Sequence, residues 1–407
     1  SDFGSSLPLC SISNVYEFTW LNDTTILYTK TDTTKRSYQL RALSLKTNLD
    51  SLLYEERDLT FDISIKTATS GSYIFIVVEN MDEREYYYIN SNAQHLKLNP
   101  IVKRFKNHNY TINHSSGALF YGISNKTKGS NEIVEFPINN PSLKNWKTIY
   151  RTKKPIEDFY ITKDYVAIQE YDKTTLSLKY IHKSTKKVSN VQFNDEIFSF
   201  YFNKRKSDTS NIIQIDYESP KTAYTTYTID LATQIKEISI QEVFSFDKKT
   251  YKVEVSSALS KDKVKIPMTL FYDEALIKEG VKGIILKAYG AYGAKYYPEF
   301  SREDKMYVDA GFIIAFAHVR GGGELGEEWY RAGKLFNKVN TFEDYVTCAK
   351  YLTKTYKIQP KQLVGYGLSA GGLIMGYVAN NYPELFGTLI FDRPYLDVIN
   401  TMMDSTL

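Results

Sequence analysis

Cysteine, proline and methionine are scarce in this chain of 407 residues, which has 2, 11 and 6 of them. Two cysteines cannot build a disulfide framework in a chain this long. No apolar run approaches the roughly 20 residues that a membrane-spanning helix needs. The net charge is only +4 and no strong basic block is present, so a nucleic-acid partner is not expected. No signal peptide is visible, and we expect a cytoplasmic protein without a membrane partner.

Tyrosine, by contrast, is abundant, with 34 residues, and such a composition favours β-strands. The first 240 residues read as short strands separated by polar turns. Similar stretches recur about every 46 residues, a period typical of the four-stranded blades of a β-propeller. They lie near Thr25, Ser72, Ala118, Asp164 and Asn211. The alternative is an all-β sandwich with accidental spacing, which five near-equal repeats disfavour. We therefore predict an incomplete propeller over residues 1–240, with about five blades visible.

Strand and helix signals alternate from about residue 241 onward. Near-continuous apolar strands are predicted in GIILKAYG, GFIIAFAHV, QLVGYG and GTLIFD, and a helix in TFEDYVTCAKYLTKTY. Such strands between helices indicate a largely parallel sheet that is covered on both faces. Thr341 is expected to cap the helix, with Glu343 and Asp344 in its first turn. We predict a second domain of the α/β class over residues 241–407.

The stretch GLSAG, residues 367–371, has the pattern G-x-S-x-G. It follows a predicted strand and opens a predicted helix, which is the context of a nucleophile elbow. Gly367 and Gly371 are needed for steric reasons, because so tight a turn brings neighbouring backbone segments into contact. This geometry exposes the Ser369 hydroxyl and aims the Ala370 N–H at a reacting oxygen. The alternative is a serine in an ordinary glycine-rich turn.

An oxyanion hole needs a second hydrogen-bond donor. The stretch KAYGAYG, residues 287–293, follows an earlier strand of the predicted sheet, where such loops lie. Either Tyr289 or Tyr292 could supply a phenolic O–H. The alternative is that both are ordinary packing tyrosines, and composition alone favours this alternative.

Longer motifs point to a family. In order, YGAYG, AHVRGGGELGEEWYRAG, KVNTFEDY, GLSAGG and YLDVINTMMDSTL resemble motifs of the prolyl oligopeptidase family of serine hydrolases. SAGG resembles the oligopeptidase B branch, and YGAYG and NTMMDSTL the prolyl-endopeptidase-like group within it. The resemblance implies a seven-bladed propeller that caps an α/β-hydrolase domain. It also implies that Ser369 is the nucleophile, that Tyr289 and the Ala370 N–H are the oxyanion donors, and that His318 has a structural rather than a catalytic part.

Two positions depart from the family pattern. Leu368 stands where the oligopeptidase B branch usually has glycine, and we expect the elbow to accommodate it. Asp392 and Arg393 stand where the family is mostly uncharged. If that strand end is buried, the two charges need partners, which the sequence does not identify.

The base that would activate Ser369 is missing from this chain. A serine hydroxyl needs a general base, and in α/β-hydrolases the order is serine, acid, histidine. Only 38 residues follow Ser369, and all five histidines precede it: His95, His108, His114, His182 and His318. The resemblance places the triad aspartate and histidine further downstream than Asp392, Asp397 or Asp404. We therefore interpret the chain as an internal fragment of a longer enzyme, or as one piece of a cleaved enzyme that could associate with the remainder.

Three functions are compatible with this pattern. The first is a serine peptidase that cleaves short peptides after Lys or Arg, as the resemblance to oligopeptidase B implies. The second is an esterase or thioesterase of the prolyl-endopeptidase-like type, and the third is a non-catalytic propeller scaffold that binds a partner. The elbow and the oxyanion motif disfavour the third. No metal-ligand spacing and no dinucleotide fingerprint are present, so we expect neither a metal nor a cofactor.

Overall fold

The computed structural model describes residues 11–92, 96–172, 174–203, 210–240 and 250–403. These residues form two compact units, the first reaching Arg151 and the second running from Thr152 to Thr401. Five four-stranded sheets and one six-stranded sheet account for all the named strands. Within each four-stranded sheet, strands that are consecutive in the sequence are neighbours.

The first unit contains three of the four-stranded sheets. The alternation of buried and exposed side chains along their strands explains why these segments form sheets that are covered on at least one face. The strands are β1 (Val15–Asn22), β2 (Thr25–Thr31), β3 (Ser37–Ser44), β4 (Leu49–Glu55), β5 (Asp62–Thr67), β6 (Tyr73–Glu79), β7 (Arg84–Asn90), β8 (Asn99–Pro100), β9 (Tyr110–Asn113), β10 (Leu119–Ser124), β11 (Asn131–Pro137) and β12 (Lys147–Thr152).

Consecutive sheets of the first unit pack face to face. One apolar cluster joins Leu27 and Leu40 of the first sheet to Ile76 of the second. Another joins Phe75 of the second sheet to Phe120 and Phe136 of the third. Face-to-face packing of successive four-stranded antiparallel sheets is the arrangement of propeller blades.

The second unit begins with the other two four-stranded sheets. Their buried side chains, among them Leu178, Phe200 and Ile215, form one apolar cluster. The strands are β13 (Ile156–Ile161), β14 (Tyr165–Asp172), β15 (Thr175–His182), β16 (Val188–Val191), β17 (Ser199–Phe202), β18 (Ile212–Glu218), β19 (Thr225–Asp230) and β20 (Lys236–Ile240). The five sheets agree with the predicted five blades.

The six-stranded sheet follows in the same unit. Its strands are β21 (Tyr251–Leu259), β22 (Lys265–Asp273), β23 (Gly283–Lys287), β24 (Phe312–Ala317), β25 (Leu363–Leu368) and β26 (Thr388–Asp392), in the spatial order β21-β22-β24-β23-β25-β26. The first two pairings are antiparallel and the other three are parallel. The predicted, largely parallel sheet is therefore present, and all four strands predicted from the sequence belong to it.

Both faces of this sheet are covered. Leu286, Ile313 and Leu363 pack with residues of α4 and α5 on one face, whereas Ile285 and Ile314 pack with Val308 of α2 on the other. The helices are α1 (Glu274–Glu279), α2 (Arg302–Asp309), α3 (Glu327–Arg331), α4 (Lys338–Tyr356), α5 (Gly371–Asn381) and α6 (Val398–Met403), with short 3-10 turns at Leu143–Asn145, Leu335–Asn337, Pro360–Gln362 and Pro383–Leu385.

Two expectations about α4 are wrong. The helix begins at Lys338, so Thr341 lies inside it instead of capping it, and Glu343 and Asp344 lie beyond its first turn. The Thr341 hydroxyl is fully buried and donates to the backbone carbonyls of Arg320, at 2.7 Å, and Gly333, at 3.1 Å. The Thr341 hydroxyl therefore binds carbonyls of a neighbouring loop, and not the N–H groups at the helix start, as the local sequence pattern had suggested. The predicted boundary at residues 240 and 241 cannot be compared in the same way, because residues 241–249 lie outside the described residues.

Candidate active site

Ser369 lies on a sharp turn between β25 and α5. Its φ of 51° is in the left-handed region, which non-glycine residues rarely occupy. The Ser369 N–H donates to the Asp392 carbonyl at 2.9 Å. Its own carbonyl accepts from the N–H groups of Gly372, at 2.8 Å, and Tyr395, at 2.9 Å. These three bonds hold the strained residue in place at the carboxyl end of β25, between its parallel neighbours β23 and β26.

The glycines of the turn are required by close backbone approach. A Cβ atom at Gly367 would lie 2.3 Å from the Gly371 carbonyl oxygen. At Gly371 it would lie 2.5 Å from the Ala288 carbonyl oxygen, and at Gly372 it would lie 2.4 Å from Cβ of Pro394. No real Cβ atom tolerates such distances without movement of the backbone. Strand, turn and helix can pack this tightly only with glycine at these positions.

The loop that carries Tyr289 packs directly against the turn. A Cβ atom at Gly371 would lie only 3.5 Å from the Tyr289 Cα, so the backbone of this tyrosine lies beside the start of α5. Tyr289 is partly buried, whereas Tyr292 is 63% exposed. Their ring centroids are 6.4 Å apart. Of the two candidate tyrosines, Tyr289 is therefore the one whose backbone lies beside the serine turn.

Ala370 lies between Ser369 and the first residue of α5, and it is 3% exposed. Across the described residues, its N–H donates to no protein acceptor. Free N–H groups are expected at the start of a helix, where they carry partial positive charge. The arrangement can therefore present one backbone donor, next to the serine, to a developing negative charge.

The loop after β24 supports the Tyr289 loop. The Gly293 N–H donates to the Gly321 carbonyl, and the Gly323 N–H donates to the Ala294 carbonyl, both at 3.1 Å. The sequence motif AHVRGGGELG signalled this loop only through its family resemblance. Its contact with the site was not predictable from the spacing of its residues.

Arg320 anchors that supporting loop. The residue is 6% exposed, and its guanidinium binds Asp344 of α4, at 2.6 Å and 2.9 Å, and Asp262, at 2.6 Å. The backbone N–H of Arg320 also donates to Asp344, at 3.0 Å. These carboxylates raise the pKa of the Arg320 guanidinium further above its usual range, so it stays protonated. Sequence reasoning placed Asp344 in a helix turn and did not find this pairing.

Each histidine that the structure describes has partners of its own. The His318 ring is 1% exposed, with Nε2 2.9 Å from the Thr269 hydroxyl. His108 Nε2 lies 3.2 Å from the Ser124 hydroxyl, and His114 Nδ1 lies 2.8 Å from the Ser70 hydroxyl. His182 Nδ1 accepts from the Ser184 N–H at 3.3 Å. His95 lies outside the described residues.

The charges at Asp392 and Arg393 pair with each other. Arg393 Nε lies 3.0 Å from Asp392 Oδ1, and the Tyr366 hydroxyl donates to Asp392 Oδ2 at 2.6 Å. Arg393 and the Tyr366 hydroxyl lower the pKa of Asp392. The Arg393 side chain is 81% exposed, so the pair lies at the surface of the described residues.

Within the ranges given above, no helix has the length and the apolar character of a membrane span. Those ranges also contain no group of three or more His, Cys, Asp or Glu residues that could hold a metal ion.

Comparison with known proteins identifies the family. Residues 10–242 match the sequence model described as "Prolyl oligopeptidase, N-terminal beta-propeller domain". Residues 298–407 match the model described as "Prolyl oligopeptidase family". The chain belongs to the prolyl oligopeptidase family. Its fold is accordingly a β-propeller together with an α/β-hydrolase domain, as predicted.

Several relatives are similar along nearly all of the chain. Dipeptidyl aminopeptidase BI of Pseudoxanthomonas mexicana is 30% identical over 414 residues, covering 100% of this chain and 57% of the relative. Protease 2 of Moraxella lacunata is 28% identical over 386 residues, covering 94% of this chain and 56% of the relative. The chain thus spans little more than half the length of these relatives.

A solved structure agrees with this assignment. Oligopeptidase B from Trypanosoma brucei, in a closed form with covalently bound antipain, superposes with a TM-score of 0.87 at 25% identity. The match covers 96% of this chain and 58% of the other. The oligopeptidase B branch suggested by the SAGG motif is supported by this likeness.

Proposed function

We propose that this protein is a serine peptidase that cleaves short peptides, after Lys or Arg, through an acyl-enzyme on Ser369. The observation that carries the proposal is the Ser369 turn, with its φ of 51° between a parallel strand and a helix. This is the geometry of a nucleophile elbow. Membership of the prolyl oligopeptidase family and the names of the relatives support the peptidase class.

In the proposed reaction, Ser369 Oγ attacks the scissile carbonyl and its proton passes to a general base. The carbonyl oxygen becomes an oxyanion, which accepts hydrogen bonds from the Ala370 N–H and the Tyr289 hydroxyl. The base then gives this proton to the leaving nitrogen, and collapse of the intermediate expels the amine and leaves an ester on Ser369. Water then hydrolyses the ester and regenerates the hydroxyl. Gly367 and Gly371 contribute by permitting the close packing of the elbow.

We also propose that none of the five histidines of this chain is the general base. The buried ring of His318, the histidine nearest to Ser369 in the sequence, is engaged by Thr269 and lies 3.4 Å from Glu324. The other described histidines belong to propeller strands or their turns. This supports a triad aspartate and histidine that are not among these 407 residues.

Three further assignments belong to the same proposal. We propose that the change from propeller to hydrolase domain lies at residues 240 and 241, and the end of the propeller match at residue 242 supports this. Short peptides are the proposed partners. A cytoplasmic location is proposed, and the buried free thiol of Cys348 is compatible with a reducing compartment.

Esterase activity is the second candidate. The human relative called "Prolyl endopeptidase-like" is 26% identical over 403 residues, which cover 98% of this chain. An esterase would use the same Ser369 and the same oxyanion donors. The two candidates therefore differ in substrate and not in nucleophile.

Labelling with a fluorophosphonate probe tests the nucleophile. The protein expressed from its complete gene should label at one residue, and Ser369→Ala should abolish labelling. The 407-residue chain alone should label far more slowly, because a serine without its base keeps the low reactivity of an ordinary alcohol. Rapid, stoichiometric labelling of that chain would show that a base lies within it, against our proposal.

Matched substrates then separate the two activities. Fluorogenic peptides that differ only in Arg, Pro or Ala before the scissile bond should be cleaved with at least about a tenfold preference for Arg. A thioester and a short alkyl ester provide the comparison. Hydrolysis of the esters with no cleavage of any peptide would favour the esterase and contradict the peptidase.

A further inference from the structure

Lys338, the first residue of α4, reaches the loop that carries Tyr289. Its Nζ donates to the Gly290 carbonyl at 2.5 Å, directly after the tyrosine in the sequence. Gly290 has a φ of 63°, and a Cβ atom there would lie 2.4 Å from the Thr341 side chain. The loop is therefore closely packed against the start of α4 where Lys338 binds it.

The environment of Lys338 is unusual for a lysine. Several other lysines of the same domain have carboxylate partners; for example, Lys295 pairs with Glu157 and Lys305 pairs with Asp309. Among the described residues, Lys338 forms no ion pair, and a backbone carbonyl is its hydrogen-bond acceptor. Burial lowers the pKa of Lys338 to about 8. Desolvating a cation without a counterion costs free energy, and such groups are concentrated at functional sites.

Tyr289 is held on both sides. The Ala288 carbonyl, before it, packs on the Cα of Gly371 in the serine turn. The Gly290 carbonyl, after it, is held by Lys338. A hydrogen bond to a cationic donor is stronger than one between neutral groups, so it restrains this backbone more firmly.

The same face of α4 holds the supporting loop. Thr341, three residues after Lys338, donates to the Arg320 carbonyl at 2.7 Å. Asp344, three residues later, accepts from the Arg320 N–H at 3.0 Å. Residues spaced by three or four lie on one face of a helix. Lys338 is thus the first of three contacts by which α4 fixes both loops.

We propose that Lys338 is a positioning residue, which fixes the Gly290 carbonyl and thereby holds Tyr289 for oxyanion binding beside Ser369. The inference rests on the proposed function, since it assigns a part in the same hydrolysis. Lys338 itself touches neither the substrate nor the reacting atoms. Its effect passes through the backbone of residues 288–290.

The test uses steady-state kinetics on the protein expressed from its complete gene. Lys338→Met should lower kcat by about 10- to 100-fold and leave KM within about twofold, because the loss falls on the transition state. Lys338→Arg should recover part of the loss, since it restores a cationic donor. Lys334→Met is the matched control, because Lys334 Nζ lies 4.4 Å from the Tyr330 ring centroid and, among the described residues, forms no hydrogen bond to the Gly290 carbonyl; it should leave kcat unchanged.

A double variant separates positioning from general destabilisation. If Lys338 acts through Tyr289, adding Lys338→Met to Tyr289→Phe should lower kcat by no more than about twofold beyond Tyr289→Phe alone. The inference would be overturned if the kcat losses of the two single variants multiplied in the double variant, or if Lys338→Met left kcat unchanged. In either case an active wild type would still support the proposed function. A wild type that hydrolyses neither peptides nor esters would overturn both.

Discussion

Ser369 and Tyr289 come together through backbone contacts, not through contacts between their side chains. The serine has a strained conformation, of a kind that costs about 1–3 kcal/mol and persists where the surroundings enforce it. Here the enforcing groups are the Asp392 carbonyl and the N–H groups of Gly372 and Tyr395. The tyrosine is positioned by its neighbours, Ala288 and Gly290. Because the backbone holds Tyr289, removing only its hydroxyl tests the role of that hydroxyl.

We expect Tyr289→Phe to lower kcat by about 10²–10³, with a smaller change in KM, because an oxyanion donor acts mainly in the transition state. The measurement is steady-state hydrolysis of a short peptide by the protein from its complete gene. Tyr292→Phe is the control, since that side chain is largely exposed. An unchanged kcat in Tyr289→Phe would exclude this role, and an equal loss in Tyr292→Phe would mean that the wrong ring was chosen.

At the scale of elements, the sequence predicts what depends on local pattern. The four-stranded sheets and the parallel strands follow from apolar periodicity, and the serine turn follows from its glycines and its place between strand and helix. The capping of α4 by Thr341 was predicted wrongly, because the acceptor of its hydroxyl is 21 residues away. The Lys338 contact spans 48 residues. Such partners depend on how the loops fold back, which no local pattern encodes.

A buried histidine of the propeller should make the stability of the protein depend on pH. His108 is fully buried, stacked on Phe105 with 4.2 Å between ring centroids, and bound to Ser124 through Nε2. Burial, with a smaller effect of the Lys126 charge, lowers the pKa of His108 to about 4. Its pKa in the unfolded chain is about 6.5, so between these values the unfolded state binds more protons. The contribution of the neutral His108 ring to the free energy of unfolding is fully present above pH 6.5 and is lost as the pH falls towards 4.

The loss from this residue should be at most about 3 kcal/mol in the free energy of unfolding. Urea denaturation of the wild type and of His108→Gln, at several pH values between 7 and 4, measures it. The variant should show a shallower fall in stability over this range. His182→Gln, at a partly exposed position, is the control and should keep the wild-type slope. Parallel pH profiles for the wild type and His108→Gln would contradict the prediction.

At the scale of the whole molecule, propeller sheets and the hydrolase domain meet within the second unit. The segment after Tyr289 contacts the sheet of β13 to β16 through Lys295 and Tyr297, which bind Glu157 at 2.7 Å and 3.1 Å. The Phe300 N–H donates to Glu218, the last residue of β18, at 3.1 Å. Part of the propeller is thereby attached to the polypeptide that leads away from the candidate oxyanion loop.

We expect this attachment to restrict the size of substrates. A decapeptide and a folded protein with the same cleavage sequence in a surface loop should be offered to the protein from its complete gene. The peptide should be cleaved and the folded protein should remain intact if the attached propeller sheets restrict access to Ser369. Ser369→Ala is the control for contaminating proteases. Cleavage of both substrates at comparable rates would refute the size limit.

The close contact between the two glycine-rich loops also affects how this site can evolve or be redesigned. A Cβ atom at Gly321 would lie 2.3 Å from the Gly290 carbonyl oxygen, and one at Gly323 would lie 2.1 Å from that of Gly293. A side chain at Gly321 or Gly323 therefore requires the loop that carries Tyr289 to move, so single substitutions at these two glycines are disfavoured. In a mutant library these glycines are therefore kept fixed, and diversity is better placed at Tyr292, which is 63% exposed.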